Sequence, residues 1–351
     1  MNRRAVLYAL LSAMLFGFST PAAKALLGST DPWILAGLLY CGAGLGVAIF
    51  RRLRRSMSPP AANKEMALAR ADLPWLCGAI VAGGVIGPLL LMVGLSRTDA
   101  ATTSLLLTLE SVATALMAWF IFHENFDRRI ALGMACLVAG AGVLAWSGQP
   151  TLSNLLGPLA IVGACLAWGL DNNLTRKVSL SDPLQIVELK GLIAGPCTLA
   201  LGLWMGGSIP PPSAIVGAGI VGFLGYGVSL ALFVLALRHL GTARAGAYFA
   251  TAPFFGAAAA VIALSDPITA QLLAAAGLMG IGVWLHLTEH HEHAHLHAPM
   301  AHAHAHSHDD HHRHEHGPDD PRDEPHAHWH RHDPLKHGHP HVPDAHHRHR
   351  H

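Results

Sequence analysis

The chain has 351 residues, of which 52% are hydrophobic, 36 are glycine and only 13% are charged, with a positive mean hydropathy of +0.37. That balance excludes an ordinary soluble enzyme and describes a polytopic membrane protein. Lysine and arginine number 23 against 22 acidic residues, so the charge offers nucleic acid no attraction.

The N-terminus Met1-Asn2-Arg3-Arg4 leads into an apolar run without a small-residue cleavage signature and is read as a retained first span. A helix needs about 20 mostly apolar residues to cross a hydrocarbon core roughly 30 Å thick. Ten such runs follow one another, at 5–27, 31–50, 73–95, 100–122, 129–146, 155–175, 184–206, 213–236, 243–264 and 269–287. Each is continuous, without the ten-residue alternation of a membrane barrel, so helices must satisfy the backbone in lipid.

Orientation follows from the basic residues. With the N-terminus cytoplasmic, the inner side holds Arg3, Arg4, Arg51, Arg52, Arg54, Arg55, Lys64, Arg70, Arg128, Arg129, Arg176, Lys177, Arg238 and Arg244, and the outer side only Lys24 and Arg97. This positive-inside bias and the even span count place both termini in the cytoplasm, as expected for a bacterial inner-membrane protein. The Arg51–Arg55 cluster is expected to anchor the second span on anionic headgroups. Five cysteines, Cys41, Cys77, Cys136, Cys165 and Cys197, lie in apolar segments with no CxxC pair, and read as buried thiols.

The chain repeats itself. Phe16-Gly17, Lys24 and Asp31-Pro32 are echoed by Trp168-Gly169, Arg176 and Asp182-Pro183. Leu95 through Glu124 aligns at a constant offset with Leu237 through Asp266, and Gly140 falls on Gly282. Five spans per half is an odd number, so the second copy enters the membrane from the opposite side. Such an inverted repeat is the architecture of secondary transporters, with a site expected between the halves near the midplane. The units are then residues 1–150, 151–287 and a tail at 288–351. Gly83 with Gly87 and Gly225 with Ser229 are small-xxx-small pairs suited to close helix packing.

Two five-helix repeats, with Leu105-Leu106-Leu107-Thr108-Leu109-Glu110-Ser111 running into Phe122-His123-Glu124-Asn125, resemble the drug/metabolite transporter superfamily of EamA type. The resemblance covers about residues 5–287 and implies an all-α fold of ten transmembrane helices in two inverted repeats. Ser111 stands where the family usually has proline, and the second repeat has Ala252-Pro253 in place of Glu110-Ser111, so Glu110 has no counterpart there.

Glu110 falls midway along the fourth span, where an unpartnered charge costs a few kcal/mol and normally faces a cavity. Thr103, Thr114 and Met117 are placed on its face by helical spacing. The reading gives Glu110 either a cation–proton exchange role or the role of a protonated group bonded to a neighbouring helix. Asp171, Asn172 and Glu188 lie toward the cytoplasmic side, either as a vestibule of oxygen donors or, for the carboxylates, as partners of Arg176, Lys177, Lys190 or a loop arginine. His123, His239 and His286 all fall at cytoplasmic helix ends.

The tail, Thr288 to His351, carries 24 of the 27 histidines among Asp, Arg and Pro. Imidazoles suit divalent nickel, zinc, copper and cobalt. The metal candidates are His290, His291, His293, His295, His297, His302, His304, His306, His308, His311, His312, His314 and His316, read as a multi-ion buffer on a tail that is disordered without metal. With the tail included, the chain resembles the nickel and cobalt resistance exporters of that superfamily. The resemblance implies divalent metal (nickel, cobalt or zinc) as substrate or tail ligand, protons as coupling ion, no tightly bound cofactor, the lipid bilayer as partner and room for a homo-oligomer. An organic-metabolite exporter with a metal-sensing tail, and a membrane-anchored metal store, are the alternatives. No HExxH, glycine-rich phosphate loop or nucleophile–base set suggests an enzyme.

Overall fold

The computed structural model describes residues 3–57, 67–121, 128–146 and 152–288, and four short strands in the tail. Ten helices among these residues are long and apolar enough to span a membrane: Arg3–Leu27, Pro32–Arg54, Arg70–Arg97, Ala100–Phe120, Arg128–Ala145, Leu155–Val178, Pro183–Trp204, Pro212–Leu240, Arg244–Leu264 and Ala270–Leu287. They coincide with the predicted runs to within a few residues, and are called the first to tenth spans below.

Their starts have visible causes. Asp31 Oδ1 accepts from Trp33 N at 2.9 Å and Asp182 Oδ1 from Leu184 N at 2.9 Å, each just before a proline that fits the first helical turn. Asp99 caps the fourth span through Thr102 N (2.7 Å) and Thr269 the tenth through Leu272 N (3.0 Å).

The repeats are interlocked. The first span packs on the eighth and ninth, and the sixth span packs on the third and fourth, so each repeat lends its first helix to the other. The second and seventh spans form the most extensive pair, and the fifth and tenth form another. Glycine permits the first of these pairings: a Cβ on Gly191 would run into the Gly44 backbone, and one on Gly195 into Cys41. Gly191→Val should therefore lower stability by about 1–3 kcal/mol through overpacking, read as a reduced thermal midpoint in detergent.

Both repeats widen the same turn. Residues Ile80–Ile86 of the third span and Gly222–Val228 of the eighth are π-helical, at the offset that carries Gly140 onto Gly282. The extra residue frees backbone groups there. In the first repeat, the Gly83 carbonyl accepts from Tyr40 Oη (2.6 Å) and Trp168 Nε1 (2.9 Å), tying the third span to the second and sixth.

Single cations close the bundle ends. Lys24 Nζ donates to the Leu95 and Thr98 carbonyls (2.6 and 2.7 Å) at one end. At the other, the Arg238 guanidinium holds the Ser179 and Ser181 carbonyls (3.0 and 2.8 Å). Trp204, Ile209 and Ile262 stand on the outer surface, as lipid contact requires. Cys77 and Cys197 are also exposed, contrary to the expectation of five buried thiols, because their helix positions face outward.

In the tail, β1 (Glu292–Leu296) pairs antiparallel with β4 (Lys336–Pro340), and β2 (Met300–His306) with β3 (His326–His332). The His-x-His alternation of these segments has the period of two that strands require.

Candidate functional site

The fourth span is broken in the middle, and the break creates the site. Leu107 and Thr108 form a turn between helices Ala100–Leu106 and Leu109–Phe120. Hydroxyls drive it: Thr108 Oγ1 bonds back to the Leu105 carbonyl (2.8 Å) and Ser111 Oγ to that of Thr108 (2.7 Å), competing with the helical ladder. The ninth span breaks at the related place, Ala250-Thr251, where Thr251 Oγ1 bonds to the Tyr248 carbonyl (2.7 Å) and Pro253 lacks a donor.

Glu110 therefore lies in the first turn of a half-helix, where the aligned peptide dipoles favour a carboxylate. It is 8% exposed and has no ion-pair partner among the described residues. Its Oε1 accepts from Asn172 Nδ2 at 2.9 Å, and the same amide donates to Thr114 Oγ1 at 3.1 Å. Asn173 Nδ2 holds the Thr114 and Gly169 carbonyls (3.1 and 2.9 Å), fixing the sixth span against the half-helix.

Glu110 opens onto a cavity of about 50 Å³ between the repeats. At roughly 10–15 Å³ per water, this holds on the order of four water molecules or a small cation with part of its hydration shell. Its walls are aromatic: Phe16 meets Trp168 edge-on at 5.7 Å and Tyr226 at 5.7 Å, while Tyr40 lies 5.5 Å from Tyr226. A smaller adjoining space of about 20 Å³ extends along Thr114, Phe249 and Ala250 to Gly246, near the end of the bundle that holds both termini. On the opposite side, the chain is shut by small residues. A Cβ on Gly17 would collide with the Ala252 carbonyl, and one on Gly256 would lie 2.6 Å from Ser104 Oγ.

Asp171 borders the same cavity but is already neutralised. Lys190 Nζ, 1% exposed, binds both its oxygens at 2.6 and 2.7 Å, and Thr175 Oγ1 donates to Oδ1 at 2.8 Å. Gly83 leaves the room, since a Cβ there would overlap the Asp171 carboxylate. The expected partners of Asp171 were Arg176 or Lys177; those positions, five and six residues on, do not share its helix face, and Lys190 of the neighbouring seventh span pairs with it instead. Glu188 does not join the cavity lining. It pairs with Arg51 at 2.7 Å, which also holds Asp182 at 3.1 Å, riveting the second span to the seventh.

Of the predicted fourth-span stripe, Thr114 joins Glu110 at the site. Thr103 is fully buried beyond the break, which interrupts the helical spacing that grouped it with Glu110, and Met117 lies further down the half-helix; neither lines these cavities. His286 sits in the tenth span with Nε2 3.2 Å from the Ile130 carbonyl, and His239 lies near the same end. His123 lies outside the described residues. In the tail, His293 and His295 fall on β1 and His302, His304 and His306 on β2, whereas His290, His291, His297, His308, His311, His312, His314 and His316 lie outside the described residues. Lys190 and the aromatic walls were missed as site residues; only the Phe16/Trp168 echo between the repeats hinted at them.

A paired set of broken helices meeting at a buried carboxylate is a transporter arrangement, and the sequence matches agree. Residues 3–146 and 155–288 each match the EamA-like transporter family. The chain belongs to that family. It is a membrane transporter, not an enzyme. It is 28% identical over 271 residues to an uncharacterized transporter of Methanothermobacter thermautotrophicus, covering 74% of this chain and 78% of the relative. A solved crystal structure is alike in fold, with a TM-score of 0.61 and 17% identity over 80% of this chain and 94% of that one. For this EamA-like transporter, the two matched segments are the two interlocked repeats, and the cavity is their interface.

Proposed function

We propose that the chain exports a divalent transition-metal cation, nickel or cobalt, from the cytoplasm across the inner membrane in exchange for protons, with the His-rich tail gathering the ion. The observation that carries this reading is Glu110: a buried carboxylate without an ion-pair partner among the described residues, in a cavity that leads toward the end of the bundle where the tail is attached. Glu110 takes the cation while the cavity faces the cytoplasm. A proton arriving from outside displaces it after the bundles rock, and Asn172 keeps the carboxylate in place in both states. Both termini face the cytoplasm in this reading.

A second reading has a specific observation in its favour. Aromatic faces attract organic ammonium groups within about 6 Å, and Phe16, Tyr40, Trp168 and Tyr226 surround Glu110, while no three His, Cys, Asp or Glu side chains among the described residues converge as a metal site. An amine would then be the cargo and the tail a metal buffer or sensor.

Inverted vesicles with an imposed proton gradient separate the two. Radioactive nickel accumulating with the full chain and, more slowly at low metal, with the chain ended after Leu287 supports metal export. Nickel merely retained by the tail, with amines collapsing the gradient instead, moves the cargo to organic cations. The tail contribution should also vanish below about pH 6, because imidazoles with an ordinary pKa of about 6.5 bind metal only when neutral. Nickel retention measured from pH 5 to 8 checks this.

A further inference from the structure

The four tail strands share one pattern. Each holds histidine at every second position over part of its length: His293 and His295; His302, His304 and His306; His326, His328, His330 and His332; His337 and His339. In a strand, positions two apart lie on one face.

The pairing aligns these runs with one another. Across β2 and β3, His302 stands opposite His330, His304 opposite His328 and His306 opposite His326. Across β1 and β4, His293 stands opposite His339 and His295 opposite His337. The two ladders share one register, so the first two runs stand against the last two. Every one of these five rungs is histidine against histidine. A register shifted by one residue would set each of them against a non-ligand.

Opposed residues of an antiparallel pair are about 4.5–5.5 Å apart at Cα, and successive same-face rungs are about 6.8 Å apart along the strand. Two adjacent rungs thus bring four histidine positions into one small patch. From this juxtaposition we infer that divalent transition-metal ions are bound on the ribbon by histidines drawn in pairs from distant runs, one site on rungs His293/His339 and His295/His337, and one on two adjacent rungs of the three between β2 and β3. Binding the ion and closing the ribbon are then one event, because metal affinity becomes folding free energy in a segment with no apolar core. The inference rests on the reading that the tail binds metal, and it differs from a buffer in which neighbouring histidines of one run act alone. It also gives the second half of the tail, His326 to His339, a role equal to that of the first.

The test uses the full chain in detergent, nickel as the probe and diamide as the thiol oxidant. Ala303 and Trp329 are register partners. A disulfide needs Cα atoms about 4.4–6.8 Å apart, a distance that opposed positions meet and diagonal ones, about 7–8 Å apart, do not. Ala303→Cys with Trp329→Cys should cross-link at least tenfold faster with nickel than with chelator, and at least tenfold faster than Ala303→Cys with Arg331→Cys. The five native cysteines lie within the spans, so peptide mapping identifies the tail disulfide. Nickel affinity should fall at least tenfold when His326, His328 and His330 are changed to Ala, and stay within twofold when His346, His347 and His349 are. Equal cross-linking of the two cysteine pairs, no effect of nickel, or equal loss from the two triple variants overturns the ribbon while leaving tail binding standing. A full chain that retains no nickel overturns both.

Discussion

Glu110→Gln is expected to reduce proton-driven export by roughly 10–100-fold with little change in thermal stability. Glutamine has nearly the same volume and its carbonyl oxygen can still accept from Asn172 Nδ2, so the packing between the fourth and sixth spans survives. What disappears is the charge and the exchangeable proton. A hydrogen bond to a charged group contributes about 1.5–3 kcal/mol, and each 1.4 kcal/mol is about tenfold in binding. The expectation holds for metal and for amine cargo alike, since both require the carboxylate. Transport in vesicles and melting in detergent should be measured on the same preparation; undiminished export by the variant would remove Glu110 from the mechanism and leave it a helix-packing group.

The largest effect on stability should come from Lys190→Met. The ammonium is almost wholly buried and its principal partner is Asp171, so its removal strands a carboxylate in the bundle interior. Breaking a buried pair from one side costs about 3–5 kcal/mol, whereas replacing both partners by apolar or neutral groups is often neutral. Lys190→Met combined with Asp171→Asn should therefore recover most of the lost thermal midpoint. If the single variant melts like the parent chain, the pair contributes little. Export by the recovered double variant decides the second question: full activity makes Asp171 structural, and a stable but inactive protein makes it part of the cation path.

The pairing of Asp171 with Lys190 also shows where sequence reasoning stopped. Asp171 was expected to pair with the nearest basic residues along its own helix, Arg176 and Lys177, and Glu188 with Lys190 two residues away or with a loop arginine. Asp171 instead reaches across helices to Lys190, while Glu188 takes the arginine alternative, Arg51 of the second span. Proximity along the chain is a poor guide in a bundle whose first and sixth spans are exchanged between repeats, because that exchange decides which faces meet. Thr103 parts from Glu110 for a related reason: its grouping assumed an unbroken helix, and the hydroxyls of Thr108 and Ser111 bend the chain just before the carboxylate.

The tail shows the same division on a smaller scale. Alternating histidines are visible in the sequence, but which run faces which is a matter of register.

By itself, the sequence determined the ten spans, the inverted repeat and the candidacy of Glu110, because hydropathy over about 20 residues, the count of spans per repeat and a lone mid-span carboxylate each act locally. Only the tertiary structure decided the aromatic walls, the neutralised state of Asp171 and the closure of the cavity on one side. Those depend on contacts between helices far apart in the chain, set by where glycine lets two backbones touch and where a widened turn frees a carbonyl.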